Sequence, residues 1–208
     1  MRLLLPKTTG HRHQIRFFAK YLTTLWMICN LFIFSLVFSS ATHAQTAAAA
    51  QAILILDASG SMWGQIDGVN KITIARDLVG ELIAEWQPDI HLGLMSYGHR
   101  EKGHCDDIEL LLPPGPVNAN QFTQQVNALN PKGKTPISAA VLHAAEALKY
   151  TEEAATVILV SDGLETCDQD PCQLGQQLAQ TGVDFTAHVV GFGLSQEDTS
   201  KLECLASA

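Results

Sequence analysis

Apolar runs alternate along the chain with stretches in which apolar residues recur at helical spacing. The first run, Ala52–Asp57, has no polar alternation and is bounded by Gly60, which is typical of a strand buried on both faces of a sheet. Four later runs also predict strands: His91–Tyr97, Ile108–Leu112, Thr156–Ser161 and Val183–Gly191. The pattern therefore predicts five strands.

Helical periodicity is clearest in the stretch that follows the first strand, where apolar residues recur every three or four positions and charged residues occupy the other faces. Pro88 ends this helix, because a helical conformation is disfavoured before proline. Asp170 is predicted to cap a later helix and Gly182 to close it. The predicted helices are Lys71–Trp86, Asn118–Leu129, Pro136–Tyr150, Pro171–Thr181 and a last one that begins at Ser195.

The order of these elements predicts an α/β fold with a doubly wound, mostly parallel sheet and helices on both faces. Too few residues separate Tyr97 from Ile108 for a crossover helix, so these two strands are expected to form an antiparallel hairpin at one edge. Ligands of such folds bind beyond the carboxyl ends of the strands. Function is therefore expected in the loops after Asp57, Tyr97 and Ser161, and in the loop before Pro136.

The first 44 residues differ from the rest of the chain. They contain five basic residues and no acidic one, an apolar run at Leu25–Phe38, and the small residue Ala44 at their end. This pattern predicts a signal peptide over 1–44, and hence export to the periplasm or the extracellular side of the cell envelope. An uncleaved anchor is the alternative, because Leu22–Phe38 is close to the shortest length that spans a bilayer. A short linker over 45–51 would precede a single domain over 52–208.

The composition is that of a globular protein, with 47% hydrophobic and 16% charged residues. The chain has 13 Lys and Arg against 21 Asp and Glu, a net charge of −8, and loss of the five leader cations would leave 8 basic residues and a net charge of −13. Such an acidic surface repels nucleic-acid backbones and anionic lipids, so neither is an expected partner. Cations, in contrast, would be attracted to it.

Four cysteines follow the predicted leader: Cys105, Cys167, Cys172 and Cys204. An even number in an exported chain predicts disulfides, whereas a structural zinc site lacks the second close pair that it normally uses. The sequence favours a local Cys167–Cys172 bond, which leaves the other two cysteines unexplained. A Cys105–Cys204 bond is the least expected, because the predicted winding places their elements on opposite sides of the sheet.

Five oxygen-bearing side chains lie next to the predicted strand ends in an order that allows them to meet. Asp57, Ser59 and Ser61 follow the first strand, Asp162 follows a later one, and Thr135 precedes a helix. Residues two apart in extended chain point the same way, so the first three can direct oxygens at one point. Carboxylates and hydroxyls without thiolate or imidazole suit a hard cation such as Mg²⁺, with Mn²⁺ or Ca²⁺ as alternatives. An external carboxylate could then take an open coordination position.

With these donors, the strings Ile55–Gly64, Tyr97–Arg100 and Gly133–Ile137 make the chain similar to secreted bacterial members of the von Willebrand factor type A family. The resemblance covers about 52–208 and implies a Rossmann-like sheet that carries a metal-ion-dependent adhesion site. Family members normally continue into a Gly-Gly turn and a final edge strand, whereas this chain stops at Ala208. The resemblance therefore implies a truncated domain in which Val183–Gly191 is an unpaired, aggregation-prone edge.

The resemblance also implies roles for the five donors. The serines and the threonine, here Ser59, Ser61 and Thr135, would approach the metal, and the aspartates, Asp57 and Asp162, would often act through water. An acidic side chain of a protein ligand would complete the coordination. The sequence thus predicts an exported, non-enzymatic domain that binds another protein through a divalent cation, and its oligomeric state stays open.

Other interpretations of these residues stand beside this one. Thr135 could be the N-cap of the following helix, and Trp63 could flank a bound ligand or pack on the adjacent turn. Arg100 and Lys102 could orient an anionic partner, although surface salt bridges are the favoured interpretation. A metal-assisted hydrolase of the cell envelope is one alternative function, and it would need a base such as His99. A purely structural module of the cell envelope is another, which metal-indifferent behaviour would favour.

Two common enzyme signatures are missing from the sequence. Gly133-Lys134-Thr135 has the ending of a phosphate-binding loop, but Ala128 stands where that motif requires glycine. The chain also has no Gly-x-Ser-x-Gly elbow to present a nucleophile. Neither nucleotide binding nor hydrolysis of that type is therefore expected.

Overall fold

The computed structural model describes residues 49–194 and 196–207. The strands are β1 (Ala50–Asp57), β2 (Gln65–Ile66), β3 (Val69–Asn70), β4 (Ile90–Tyr97), β5 (Ile108–Gly115), β6 (Ala154–Ser161) and β7 (Asp184–Gly191). The helices are α1 (Lys71–Ala84), α2 (Ala119–Ala128), α3 (Ile137–Ala147), α4 (Pro171–Thr181) and α5 (Gln196–Ala206), and a short 3-10 turn covers Gly60–Trp63. Every predicted strand and helix is present, with ends displaced by a few residues.

Three predictions fall wholly or partly on residues outside this part of the chain. The leader over 1–44 and the first four residues of the linker are not described, and neither is Ser195, the predicted start of the last helix. β1 begins at Ala50, so the last two residues of the predicted linker belong to the sheet. Within the described residues, no helix has both the length and the apolar character needed to cross a membrane.

The main sheet has five strands in the order β5-β4-β1-β6-β7. β1 pairs in parallel with β4 and with β6, β6 pairs in parallel with β7, and β4 pairs antiparallel with β5. The predicted doubly wound, mostly parallel sheet with one antiparallel edge hairpin is confirmed. β7 lies at the other edge of this described sheet.

The core consists of two layers, one on each face of the sheet. β1 is the central strand, and its residues from Ala52 to Asp57 are all buried. Ile53 and Ile55 pack with α3, α4 and α5, whereas Leu54 and Leu56 pack with α1 and α2. Because successive side chains of a strand point to opposite faces, an unbroken apolar run is what a central strand between two helical layers requires.

A short hairpin with strands of two residues each lies between the 3-10 turn and α1 and was not among the predicted elements. It pairs β2 with β3, and Asp67 and Gly68 form its turn with φ of 51° and 82°. Asp-Gly with two positive φ angles is typical of a type I′ hairpin turn, so the sequence did carry a signal for it. The hairpin returns the chain so that the Lys71 N–H donates to the Gly64 carbonyl at 2.8 Å.

The register of the sheet brings three loops to the same edge. Asp57, the last residue of β1, is opposite Tyr97, the last residue of β4. On the other side, Leu56 is opposite Val160, which places Ser161 beside Asp57. The loops that follow β1, β4 and β6 therefore leave the sheet at one end, where the candidate residues of the sequence are located.

Candidate metal centre

Asp57 forms the floor of the candidate site and is fully buried. Its Oδ1 accepts a hydrogen bond from the Ser59 backbone N–H at 2.7 Å, and its Oδ2 accepts one from Ser161 Oγ at 2.6 Å. Burial raises the pKa of the Asp57 carboxyl, although the hydrogen bonds from Ser161 and Ser59 act in the opposite direction. A cation close to this carboxylate would favour its ionised form.

A chain of polar contacts rises from this floor to the surface. Ser59 Oγ and Ser61 Oγ lie 2.9 Å apart, and Ser61 Oγ donates to Asp162 Oδ1 at 2.8 Å. Ser59 and Asp162 are 1% and 5% exposed, whereas Ser61 is exposed. The loop after β1 and the loop after β6 thus bring their hydroxyls and one carboxylate oxygen to a common point that solvent can reach.

Thr135 is buried in the loop before α3. Its N–H donates to Thr166 Oγ1 at 2.8 Å, and its carbonyl accepts from the Thr166 N–H at 3.1 Å. The interpretation of Thr135 as the helix N-cap is wrong, because α3 starts at Ile137 and Pro136 holds the cap position. Glu165 Oε2 instead accepts from the Ser138 N–H at 2.8 Å, at the first turn of the helix.

Main-chain hydrogen bonds join the loop that carries Thr135 to the loops after β1 and β4. The Gly60 N–H donates to the Gly133 carbonyl at 3.0 Å, and the Lys132 N–H donates to the Ala58 carbonyl at 3.1 Å. The Gly98 carbonyl accepts from the N–H groups of Lys132 and Gly133 at 2.9 Å and 2.7 Å. The loops after β1 and β4 and the loop that carries Thr135 are therefore bound to each other through backbone atoms.

Two of the oxygen separations at this site are compatible with an octahedral cation of the size of Mg²⁺, and they are equally the lengths of ordinary hydrogen bonds. With metal–oxygen bonds of about 2.0–2.1 Å, adjacent ligands of an octahedron lie about 2.9 Å apart. The Ser59–Ser61 and Ser61–Asp162 oxygen separations of 2.9 Å and 2.8 Å have this length. Among the described residues, no cluster of three or more His, Cys, Asp or Glu could hold a metal ion, so hydroxyls would have to supply the remaining protein ligands.

Two residues at this site were not singled out in the sequence. Ser161 orients Asp57, and its position at the end of a predicted strand beside Asp162 was a signal that could have found it. Lys71 Nζ lies 2.8 Å from Asp162 Oδ2, and no sequence pattern indicated this contact. The candidate site therefore contains two carboxylates and one ammonium group.

The surface around the site carries an exposed aromatic ring and a group of charged residues. Trp63 is 49% exposed, and its Nε1 donates to the Pro131 carbonyl at 2.9 Å. Arg100 Nε lies 2.7 Å from Asp107 Oδ1, which confirms the salt-bridge interpretation of this residue. His99 Nε2 is 3.0 Å from Glu109 Oε2, and the His99 side chain is only 10% exposed.

Asp107 organises the loop between β4 and β5. Burial alone would raise the pKa of its carboxyl, but hydrogen bonds from the Glu101 N–H and from the Arg100 side chain and N–H outweigh this effect, so its pKa lies below the ordinary 3.8. In Asp107→Asn the amide group would turn its N–H bonds towards some of these donors. We expect the substitution to lower the free energy of unfolding by about 2–3 kcal/mol at neutral pH.

The pH dependence of that loss has a definite sign. Because the pKa of Asp107 is lowered in the folded state, its carboxylate contributes fully to the free energy of unfolding above about pH 3.8. This contribution is lost as the pH falls through the folded pKa. Urea unfolding of the parent and of Asp107→Asn at pH 7 and at pH 3 measures this contribution. The difference in the free energy of unfolding between the two proteins should be smaller at pH 3. A difference that grows on acidification would contradict the assignment.

Two disulfides replace the pairing that the sequence favoured. Cys105 bonds to Cys167 and Cys172 bonds to Cys204, with Cα separations of 5.7 Å and 5.1 Å. The predicted Cys167–Cys172 bond is wrong. Cys172 lies in the first turn of α4, which packs against α5, whereas Cys167 lies in the loop before that helix and meets the β4–β5 loop. As expected, Cys105 and Cys204 are not bonded to each other.

The fold and the converging oxygens define a class of protein, an α/β domain with a candidate cation site at the carboxyl edge of its sheet. The family model described as von Willebrand factor type A domain matches residues 52–165, more than half of the chain. The chain therefore belongs to the von Willebrand factor type A family.

Relatives and solved structures agree with this assignment. The uncharacterized protein YwmC of Bacillus subtilis (strain 168) is 26% identical over 174 residues, which cover 79% of this chain and 76% of YwmC. The pilus adhesin SpaC from Lactobacillus rhamnosus GG superposes with a TM-score of 0.63 at 16% identity over 79% of this chain and 28% of SpaC. Proximal thread matrix protein 1 from the mussel byssus, solved with a zinc-occupied MIDAS motif, gives a TM-score of 0.57 at 20% identity over 77% and 40%. This chain thus spans less than half of either solved chain, and at these identities the two structures bear on the fold alone.

Proposed function

We propose that this chain is an exported, non-enzymatic protein-binding domain that captures an acidic residue of a partner through a divalent cation. Mg²⁺ is the expected ion, and Mn²⁺ or Ca²⁺ could replace it. Asp57, Ser59, Ser61, Thr135 and Asp162 would hold the ion, directly or through water. The observation that carries the proposal is that Ser61 Oγ lies 2.9 Å from Ser59 Oγ of the same loop and 2.8 Å from Asp162 Oδ1 of another loop.

The protein's own groups would prepare the site before a partner arrives. Ser161 and the Ser59 N–H hold the Asp57 carboxylate in one orientation, and the neighbouring loops are joined by backbone hydrogen bonds. A bound cation would supply an electrophilic position for the partner's carboxylate. Ser61 is exposed, so this position would be open to a large partner. The exposed ring of Trp63, fixed by its bond to Pro131, offers apolar contact surface beside it.

Three further observations support the proposal. SpaC is by its name a pilus adhesin, and the mussel protein holds zinc in its MIDAS motif. Two disulfides are typical of proteins that reside in an oxidising compartment, which agrees with the predicted signal peptide. Together these observations favour a binding domain of the cell envelope as the function proposed.

Titration calorimetry with Mg²⁺ tests the cation site. We expect the purified protein to bind Mg²⁺, Asp57→Ala to lose measurable binding, and Ser61→Ala to bind more weakly by about tenfold or more, because each loses an oxygen ligand. Ser61 is exposed, so its substitution tests the site even where Asp57→Ala disturbs folding. Asp89→Ala, an exposed carboxylate just before β4 at the opposite end of the sheet, is the matched control and should bind as the parent does.

A pull-down from the envelope of the exporting cell, with and without EDTA, tests the partner. The proposal expects proteins that are retained with Mg²⁺, released by EDTA, and not retained by Ser61→Ala. Equal Mg²⁺ affinity in the parent, Asp57→Ala and Ser61→Ala would contradict the proposed metal-dependent function. A partner that binds equally well in EDTA would contradict it too.

A further inference from the structure

Lys71 places a positive charge inside the candidate cation site. Its Nζ lies 2.8 Å from Asp162 Oδ2, and the other oxygen of the same carboxylate accepts from Ser61. The Asp162 side chain has no exposed surface, and that of Lys71 is only 16% exposed. The ammonium is therefore a largely buried partner of one of the two carboxylates.

The Lys71 side chain is enclosed by two loops that contribute no side chain at the point of contact. A Cβ built at Gly64 would lie 3.5 Å from Lys71 Cε, and a Cβ at Gly193, in the loop after β7, would lie 3.1 Å from the same atom. These glycines form a slot through which the lysine reaches Asp162. A side chain at either glycine would crowd the lysine, so both positions leave room for the ammonium beside Asp162.

We propose that Lys71 is a built-in counter-cation that weakens the binding of divalent metal at this site. The affinity of oxygen sites for divalent ions rises with the number of negative ligand charges, and Lys71 cancels one of the two that Asp57 and Asp162 supply. An ammonium this close to a ligand carboxylate also repels a second cation directly. This inference rests on the proposed function and adds that the metal affinity is set by Lys71 as well as by the five oxygen donors.

Titration calorimetry with Mg²⁺ on Lys71→Met, Lys71→Arg and the parent tests this role. We expect Lys71→Met to bind Mg²⁺ about tenfold more tightly than the parent, because the site gains one uncompensated negative charge. Lys71→Arg keeps the charge and should stay close to the parent. Lys149→Met removes an exposed lysine after α3, at the opposite end of the sheet, and is the matched control for the change in net charge.

Thermal unfolding in EDTA gives an independent readout. Without metal, Lys71→Met leaves the buried Asp162 without its ion pair, so its Tm should fall below that of the parent, and Mg²⁺ should restore it by a larger increment than in the parent. Lys71→Gln removes the charge but keeps an N–H donor for Asp162. If Lys71→Met does not fold in EDTA, the Mg²⁺ titration is done with Lys71→Gln instead.

The possible outcomes separate the inference from the proposed function. If Lys71 has only a structural role, its substitution should weaken Mg²⁺ binding. Unchanged or weaker binding by Lys71→Met and Lys71→Gln, with normal binding by the parent, would therefore overturn this inference and leave the proposed function intact. Absence of Mg²⁺ binding by every protein overturns both. The inference is supported if Lys71→Met and Lys71→Gln bind Mg²⁺ more tightly than the parent and Lys71→Arg does not.

Discussion

Gly98→Ala is expected to lower the free energy of unfolding by about 3–5 kcal/mol, because it combines backbone strain with a clash against main-chain atoms. Gly98 follows β4 with a φ of 69°, which is unfavourable for residues that carry a Cβ. The added Cβ would lie 2.6 Å from the Lys134 carbonyl oxygen and 3.0 Å from Ser59 Cα. Urea denaturation measures the loss, and we also expect Mg²⁺ binding to fail because Ser59 and the loop of Thr135 are pushed apart.

Two other glycines separate the causes of this effect. Gly103, in the loop between β4 and β5, has a φ of 84° and nothing within 4 Å of a built Cβ, so Gly103→Ala should cost only the strain of about 1–2 kcal/mol. Gly133 has no positive φ, but its Cβ would lie 2.6 Å from the Glu101 carbonyl oxygen, so Gly133→Ala should show the clash alone. Equal stabilities of Gly98→Ala and Gly103→Ala would refute the close packing of these loops.

Loss of the Cys105–Cys167 disulfide is expected to cost about 3–4 kcal/mol, since the bond closes a loop with a sequence separation of 62 residues. The double variant Cys105→Ala/Cys167→Ala avoids a free thiol. Cys167 follows Thr166, which holds Thr135 through two hydrogen bonds, so the bond ties the β4–β5 loop to the loop that supports a candidate ligand. We therefore expect a several-fold loss of Mg²⁺ affinity in addition to the loss of stability.

The other disulfide supplies the control. Cys172→Ala/Cys204→Ala removes a bond with a sequence separation of 32 residues that joins α4 to α5. A similar loss of stability is expected from it, because loop closure depends only weakly on length. Its Mg²⁺ affinity should nevertheless match that of the parent. Equal effects of the two double variants on metal affinity would argue against a link between Cys105–Cys167 and the candidate site.

The sequence was sufficient to predict the architecture and the edge of the sheet where the candidate site lies. The apolar run from Ala52 to Leu56 is short and bounded by Gly60, which favours a strand covered on both faces, and helical periodicity identified α1 from its apolar stripe. Once strands and helices alternate, the carboxyl ends of the parallel strands meet at one edge. The loops that carry Asp57 and Asp162 therefore had to be neighbours, whatever the details of their conformation.

Contacts that depend on the path of a loop could not be predicted in this way. The disulfide pairing follows from the loop before α4, which carries Cys167 to the β4–β5 loop, and no periodicity encodes that course. The contact between Lys71 and Asp162 depends on the small β2–β3 hairpin, which returns the chain to the site just before α1. Glu165 likewise supports the first turn of α3 from a different loop, a role that Thr135 could equally have filled on sequence alone.

The main-chain bonds between the loops have a consequence for how such a domain changes its target over evolutionary time. These bonds are made by backbone atoms, whereas the side chains of Lys102, Lys132 and Lys134 are exposed and take no part in them. Point substitutions there can reshape the rim while the oxygen cluster below keeps its geometry. Recognition can thus diversify independently of the scaffold, which is also the property sought in a display framework for engineered binders.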